Sequence, residues 1–121
     1  MTSARSKLFL IHWNQAEAES LARGLILSGW DVEYEANDGR RAYESIKADL
    51  PAAIVIYLSR LPSHGRETAD ALRAHKATRE VPVVFVGGQG EPLEKTKAKV
   101  PGAIYTTEAE LSSVLQEVSG Q

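Results

Sequence analysis

Five short apolar runs alternate with helix-like segments along this 121-residue chain, and that alternation constrains the fold more than any other feature. The runs occupy residues 8–11, 32–34, 53–56, 81–86 and 103–105. The first, third and fourth are continuously apolar, which is typical of strands covered on both faces. The second alternates and carries charge, so we expect it at an edge. The pattern predicts a parallel sheet with helices on both faces.

The segments between the runs carry helix signals. Asn14 with Glu17, and Thr107 with Glu110, have the spacing of a capping box. A third helix is expected over about residues 66–76. Right-handed crossovers then give an α/β fold, a (βα)5 three-layer sandwich of flavodoxin-like type with the parallel sheet order 2-1-3-4-5.

Length and composition limit the possible functions. The chain fits one domain over residues 1–121, with a polar lead at 1–6 and a frayed tail at 119–121. A formal net charge of −2 supplies no broad positive field, so we expect neither nucleic acid nor an acidic membrane surface as a partner. The absence of cysteine excludes disulfides and thiolate catalysis. The first apolar run is too short for a signal segment, so a cytoplasmic location is expected.

The ends of the first and third runs read Ile-His-Trp-Asn at residues 11–14 and Ile-Tyr-Leu-Ser at 56–59. The layout around them resembles the receiver domain of bacterial response regulators, the CheY-like domain, over nearly the whole chain. By that resemblance, His12 and Trp13 replace the metal-binding acidic pair, and Tyr57 replaces the aspartate that accepts the phosphoryl group. Gly87 replaces the hydroxyl switch residue, and Glu108 lies in a stretch that holds no lysine where the family carries one.

These replacements remove the parts on which receiver chemistry depends. Magnesium prefers carboxylate oxygens, which His12 and Trp13 do not offer. An acyl phosphate forms only on a carboxylate, and Tyr57 carries a phenol. Without metal or lysine, nothing neutralises the charge that develops on a transferred phosphoryl group. We therefore expect no catalysis, no metal and no cofactor.

Loops at the carboxyl ends of strands one and three line the crevice of such a sheet, so any site is expected there. Trp13 and Tyr57 could form an aromatic platform, or could fill the space left by the absent acids. The basic residues after the third run could bind an anion at a helix start, or could be a solvated loop capped by Ser63 or His64. The candidate binding patch is Trp13, Tyr57, Ser59, Arg60, His64 and Arg66.

The function predicted from these residues is that of a pseudo-receiver, a non-phosphorylatable signalling module that acts through protein–protein interaction in a two-component-type system. By resemblance, its partner would be a histidine kinase or a regulator, or a second copy in a homodimer. The candidate partner face holds Tyr105, Glu108 and Leu111. One alternative is a sensor that binds a small ligand or an anion at the carboxyl edge. A remote alternative is a response regulator with residual phosphoacceptor activity.

Overall fold

The computed structural model describes residues 6–59 and 61–119, so Arg60 and most of the predicted lead and tail lie outside it. Five parallel strands form one sheet in the order β2-β1-β3-β4-β5. The predicted fold class, sheet order and edge position of the second strand are confirmed. The strands are β1 (Lys7–Ile11), β2 (Asp31–Glu35), β3 (Ala53–Tyr57), β4 (Val83–Val86) and β5 (Ile104–Thr106).

The helices alternate with the strands. They are α1 (Gln15–Leu27), α2 (Gly39–Ala48), α3 (Pro62–Ala74), α4 (Gly90–Lys99) and α5 (Leu111–Ser119), and a single 3-10 turn at Glu108–Glu110 precedes α5. Asn14 caps α1 as predicted, because its side-chain oxygen accepts the backbone N–H of Glu17 at 3.0 Å. The helices of residues 6–59 and 61–119 include none that is both long and apolar enough to span a bilayer.

Two of the predicted helix starts are wrong. The third helix begins at Pro62, four residues before the expected start, because proline at the first helical position needs no N–H partner. Leu61 precedes it in the left-handed region with φ 42°, and neither Ser63 nor His64 is the capping residue. Thr107 begins the 3-10 turn, and among the described atoms its hydroxyl makes no capping hydrogen bond. The predicted capping box with Glu110 does not form.

The core consists of two apolar layers, one on each face of the sheet. Alternate residues of β1 enter different layers: Leu8 and Leu10 face α1 and α5, whereas Phe9 and Ile11 face α2, α3 and α4. All four side chains are buried, as expected for a strand covered on both faces. The same alternation continues past the strand ends and decides which side chains meet at the carboxyl edge.

Candidate functional site at the carboxyl edge

A cavity of about 350 Å³ opens at the carboxyl ends of β1, β3 and β4. Four of the five positions at which the sequence departs from the receiver pattern line it: His12, Tyr57, Gly87 and Glu108. Ser59 of the predicted patch lies there as well. The remaining lining residues are Glu17, Ser20, Leu21 and Val86. The edge predicted from the sheet order is therefore the place where these replaced positions meet.

His12 and Tyr57 form the floor of the cavity. Their rings stack with centroids 5.1 Å apart and planes 22° from parallel. Both side chains are buried, with relative exposures of 2% and 6%. The Nε2 atom of His12 lies 3.1 Å from Oε1 of Glu17, so a polar contact from α1 holds the imidazole in place. An aromatic pair thus occupies the carboxyl ends of β1 and β3.

The hydroxyl of Tyr57 donates a long hydrogen bond of 3.5 Å to Oε1 of Glu108. Burial, and secondarily the charge of Glu108, raise the pKa of Tyr57 far above its ordinary value. The phenol is therefore neutral across the physiological range and is a weak nucleophile. Gly87, on the next strand end, has a φ of 77°, a conformation that would strain a hydroxyl-bearing residue.

The residues at this edge do not fit the magnesium ion that the receiver resemblance implies. Magnesium takes carboxylate and water oxygens in octahedral geometry, and the strand ends at the cavity offer an imidazole and a phenol. The carboxylates of Glu17 and Glu108 also line the cavity, but they contact His12 and Tyr57 respectively. Across the described ranges 6–59 and 61–119, no group of three or more His, Cys, Asp or Glu side chains could hold a metal ion.

Trp13 lies on the opposite face of the sheet from Tyr57, so the aromatic platform, one of the two alternatives for this pair, does not form. Its indole packs against the layer beneath α2 and α3 and meets the His64 ring edge-on, with centroids 5.7 Å apart. A Cβ added at Gly65 would lie 3.8 Å from Nε1 of Trp13, an ordinary van der Waals distance. Trp13 therefore packs beside the first turn of α3.

The basic part of the predicted patch is also dispersed. Arg66 turns towards α4, where its Nε donates to Oγ1 of Thr96 at 3.3 Å and its Nη2 to the carbonyl of Pro92 at 3.5 Å. His64 joins Trp13, away from the cavity. Arg60 lies outside the described residues. His64 and Arg66 therefore do not converge on one anion site at the start of α3.

The predicted partner face needs one correction. Leu111 is only 5% exposed and belongs to the layer between the sheet and α5, so it cannot present a contact surface. Tyr105 is half-buried: its ring stacks on Phe85 at 5.2 Å, and Nζ of Lys97 lies 5.7 Å from its centroid. Its hydroxyl donates to the carbonyls of Thr96 and Val100. Glu108 is exposed beside the cavity.

Sequence reasoning missed the contribution of α1 to the cavity. The sequence pattern indicates Glu17 as a capping residue and places neither Ser20 nor Leu21 in a site. The spacing of residues 17, 20 and 21 was the available signal, because residues three and four positions apart lie on the same face of a helix. Their proximity to the strand ends depends on the tertiary position of α1.

Solved structures share this fold over nearly the whole chain. The receiver domain of a sensor histidine kinase from Pseudomonas aeruginosa matches with a TM-score of 0.81 and 24% identity, covering 98% of this chain and 100% of that chain. Chemotaxis protein CheY4 of Vibrio cholerae matches with 0.78 and 21%, covering 95% and 99%. A LuxR-family two-component response regulator from Aurantimonas matches with 0.77 and 19%, covering 97% and 86%.

These comparisons define the class of fold. The chain has the CheY-like, flavodoxin-type fold of response-regulator receiver domains, with five parallel strands in the order 2-1-3-4-5 and five helices. No protein-family model and no curated protein matches the sequence. The likeness to these structures is a likeness of fold.

Proposed function

We propose that this protein is a pseudo-receiver, a non-phosphorylatable module that acts through protein–protein interaction in a two-component-type regulatory system. The proposal includes a non-enzymatic role, a cytoplasmic location, and a histidine kinase, a regulator or a second copy as partner. The receiver fold supports the signalling context, and the chemistry at the strand ends supports the loss of phosphotransfer. Fold alone does not assign function, so the site residues carry the argument.

One observation carries the proposal: Tyr57 stands at the end of β3, where the receiver resemblance implies the phosphoacceptor. Its side chain is 6% exposed, stacks on His12 and donates to Glu108. A neutral buried phenol cannot form an acyl phosphate, which requires a carboxylate nucleophile. Among the residues that the structure describes at this cavity there is no Lys or Arg side chain to stabilise a transferring phosphoryl group.

Incubation with acetyl phosphate and magnesium tests the loss of phosphotransfer. Intact-mass spectrometry should detect no phosphoryl adduct under conditions that label a receiver with an intact acidic site, which serves as the positive control. A base-labile adduct that maps to a carboxylate of this chain would overturn the proposal and favour the residual phosphoacceptor function. An unlabelled chain beside a labelled control supports it.

The interaction surface that fits the proposal surrounds Tyr105. The ring is held by Phe85 and by two hydrogen bonds from its hydroxyl, so it is presented in one orientation at low entropic cost. Exposed Lys97 lies over the ring and Glu108 is exposed nearby in sequence. A rigid aromatic side chain flanked by charged groups is typical of the contact residues of protein interfaces.

A charge reversal tests this surface without disturbing the core. Once a partner has been identified by co-purification from the source cell, Lys97→Glu should weaken its binding by roughly tenfold, the effect of about 1.4 kcal/mol. Lys47→Glu on α2 is the matched control and should bind as the parent chain does. Equal affinity of all three proteins would place the interface elsewhere.

A further inference from the structure

The cavity at the carboxyl edge continues into a second one along the same face. The second has a volume of about 230 Å³ and reaches Gly24, Leu25, Ser28 and Trp30. The two cavities share four lining residues: Ser20, Leu21, Tyr57 and Glu108. They therefore form one elongated cleft between α1 on one side and the 3-10 turn with α5 on the other.

Small side chains keep this cleft open. Ser20, Gly24 and Ser28 follow one another at intervals of four residues, which places them on one side of α1. Ser112 faces the cleft from α5. A Cβ added at Gly24 would meet no atom within 4 Å, so the space beside the helix at this position is open.

The charged side chains lie towards one end of the cleft. The end at the carboxyl edge carries the carboxylate of Glu17 and the imidazole of His12, and the carboxylate of Glu108 lies in the part that the two cavities share. The other end combines the apolar side chains of Leu25, Trp30 and Leu111 with the hydroxyls of Ser28 and Ser112. Among the described residues at the charged end, carboxylates outnumber positive groups even when His12 carries a proton. A small ligand with an anionic head is disfavoured there.

We propose that this cleft binds a small organic cation, with an ammonium head at Glu108 and an apolar body lying over Leu21 and Tyr57 towards Trp30. The combined size suits a ligand of a few to about a dozen non-hydrogen atoms, since pockets for small molecules begin at about 300 Å³. The ammonium would replace water at an exposed carboxylate, and the body would be removed from solvent against aliphatic and aromatic side chains.

This inference goes beyond the interaction role proposed above and does not depend on it. A pseudo-receiver that binds no small molecule would still act through the Tyr105 surface, and phosphorylation of a carboxylate would not by itself empty the cleft. The two proposals therefore fail in different experiments, one by mass spectrometry and one by ligand titration.

Titration of the full chain with hexylamine tests the proposal against hexanoate, which has the same body and the opposite charge. Trp30 lines the cleft, so its fluorescence in a Trp13→Phe background reports on occupancy, because the chain has only two tryptophans. Hexylamine should cause a saturable change and raise the unfolding midpoint. Hexanoate and inorganic phosphate should do neither. Equal or stronger binding of either anion, or no saturable binding of hexylamine, would overturn the proposal.

Two variants locate the binding site. Glu108→Gln should weaken hexylamine binding by roughly tenfold or more, as expected when a charge-assisted contact is lost, whereas Glu110→Gln, two residues away and outside the cleft, should not. Gly24→Leu should abolish binding by filling the apolar part, and helix propensity favours its folding. Ala16→Leu, exposed on α1 outside the cleft, is its matched control. Unchanged affinity in both Glu108→Gln and Gly24→Leu contradicts the proposal.

Discussion

The hydroxyl of Tyr57 and the carboxylate of Glu108 meet at 3.5 Å across the carboxyl edge of the sheet, although 51 residues separate them in sequence. One stands at the end of β3 and the other just beyond β5. In a sheet of this order both strand ends flank β4, and this brings together two positions that the receiver resemblance marks as replaced. This contact is made by the neutral phenol in the folded state. Ionisation of Tyr57 therefore lowers the stability of the fold.

The raised pKa of Tyr57 predicts a stability that falls in alkali. Below the ordinary tyrosine pKa of about 10 the phenol is neutral in both states, and its contribution is fully present. Above that value the unfolded chain loses the proton while the folded chain keeps it, so stability falls by at most about 1.4 kcal/mol per pH unit. Tyr57→Phe should remove this component, which urea unfolding between pH 9 and 11 would measure.

The comparison has an internal control. Between pH 7 and 9 the difference in unfolding free energy between the parent chain and Tyr57→Phe should be constant, and above pH 10 it should shift in favour of the variant. Burial raises the pKa of Tyr105 as well, so the parent-minus-variant difference is the informative quantity. A difference that stays flat to pH 11 would show that Tyr57 ionises as readily in the folded state as in the unfolded state.

Removal of the Tyr105 hydroxyl should destabilise the fold. The hydroxyl donates to the carbonyls of Thr96 and Val100 at 3.1 and 2.9 Å and so satisfies the C-terminal end of α4. Tyr105→Phe should cost about 1–2 kcal/mol in urea unfolding, because a net hydrogen bond contributes on the order of 1 kcal/mol. Tyr34→Phe is the control: its hydroxyl contacts the exposed side chains of Gln15 and Glu19, and the expected change is within about 0.5 kcal/mol. Equal losses of unfolding free energy in the two variants would mean that the Tyr105 hydroxyl does not stabilise the end of α4.

Substitution by alanine should have opposite effects on stability at Gly65 and at Gly24. Gly65→Ala places a methyl group 2.8 Å from Cγ2 of Ile56 in a buried helix contact and should destabilise by about 1–3 kcal/mol. Gly24→Ala enters open space on α1 and should stabilise by about 0.5–1 kcal/mol through helix propensity. Thermal unfolding measures both. A midpoint for Gly65→Ala that stays unchanged or rises would contradict the close approach of α3 to β3.

Much of the fold follows from local sequence signals. Continuous apolar runs identify β1, β3 and β4, and the alternation with helices fixes the sheet order through the handedness of the crossovers. The cap at Asn14 is also local, since its side chain bonds a backbone N–H three residues away. The start of α3 was less predictable, because residues 62–65 read as a loop and the helix begins after a leucine in a left-handed conformation.

A cavity lies at the edge where the sequence predicts a site, but the side chains of the predicted patch do not lie together. His12 and Trp13 are neighbours in sequence and point to opposite faces, because strand alternation continues beyond Ile11. The register pairs Ile11 with Ile56, and the next step pairs His12 with Tyr57. Alternation could have predicted this stack. The contribution of Glu17 could not be predicted, since it depends on how α1 packs across the sheet.

The last prediction concerns the two helix starts at which the sequence predicts a capping box. Asn14 makes its capping hydrogen bond, whereas Thr107 makes none among the described atoms. Asn14→Ala should destabilise the fold by about 1 kcal/mol, since the side chain accepts the N–H of Glu17 at 3.0 Å. Thr107→Ala should change the unfolding free energy by less than about 0.5 kcal/mol, because the exposed Thr107 makes no capping bond among the described atoms. Urea unfolding of the two variants at pH 7 measures both. A cost for Thr107→Ala equal to that for Asn14→Ala would mean that α5 begins with a capped turn and that the 3-10 geometry before Leu111 is wrong.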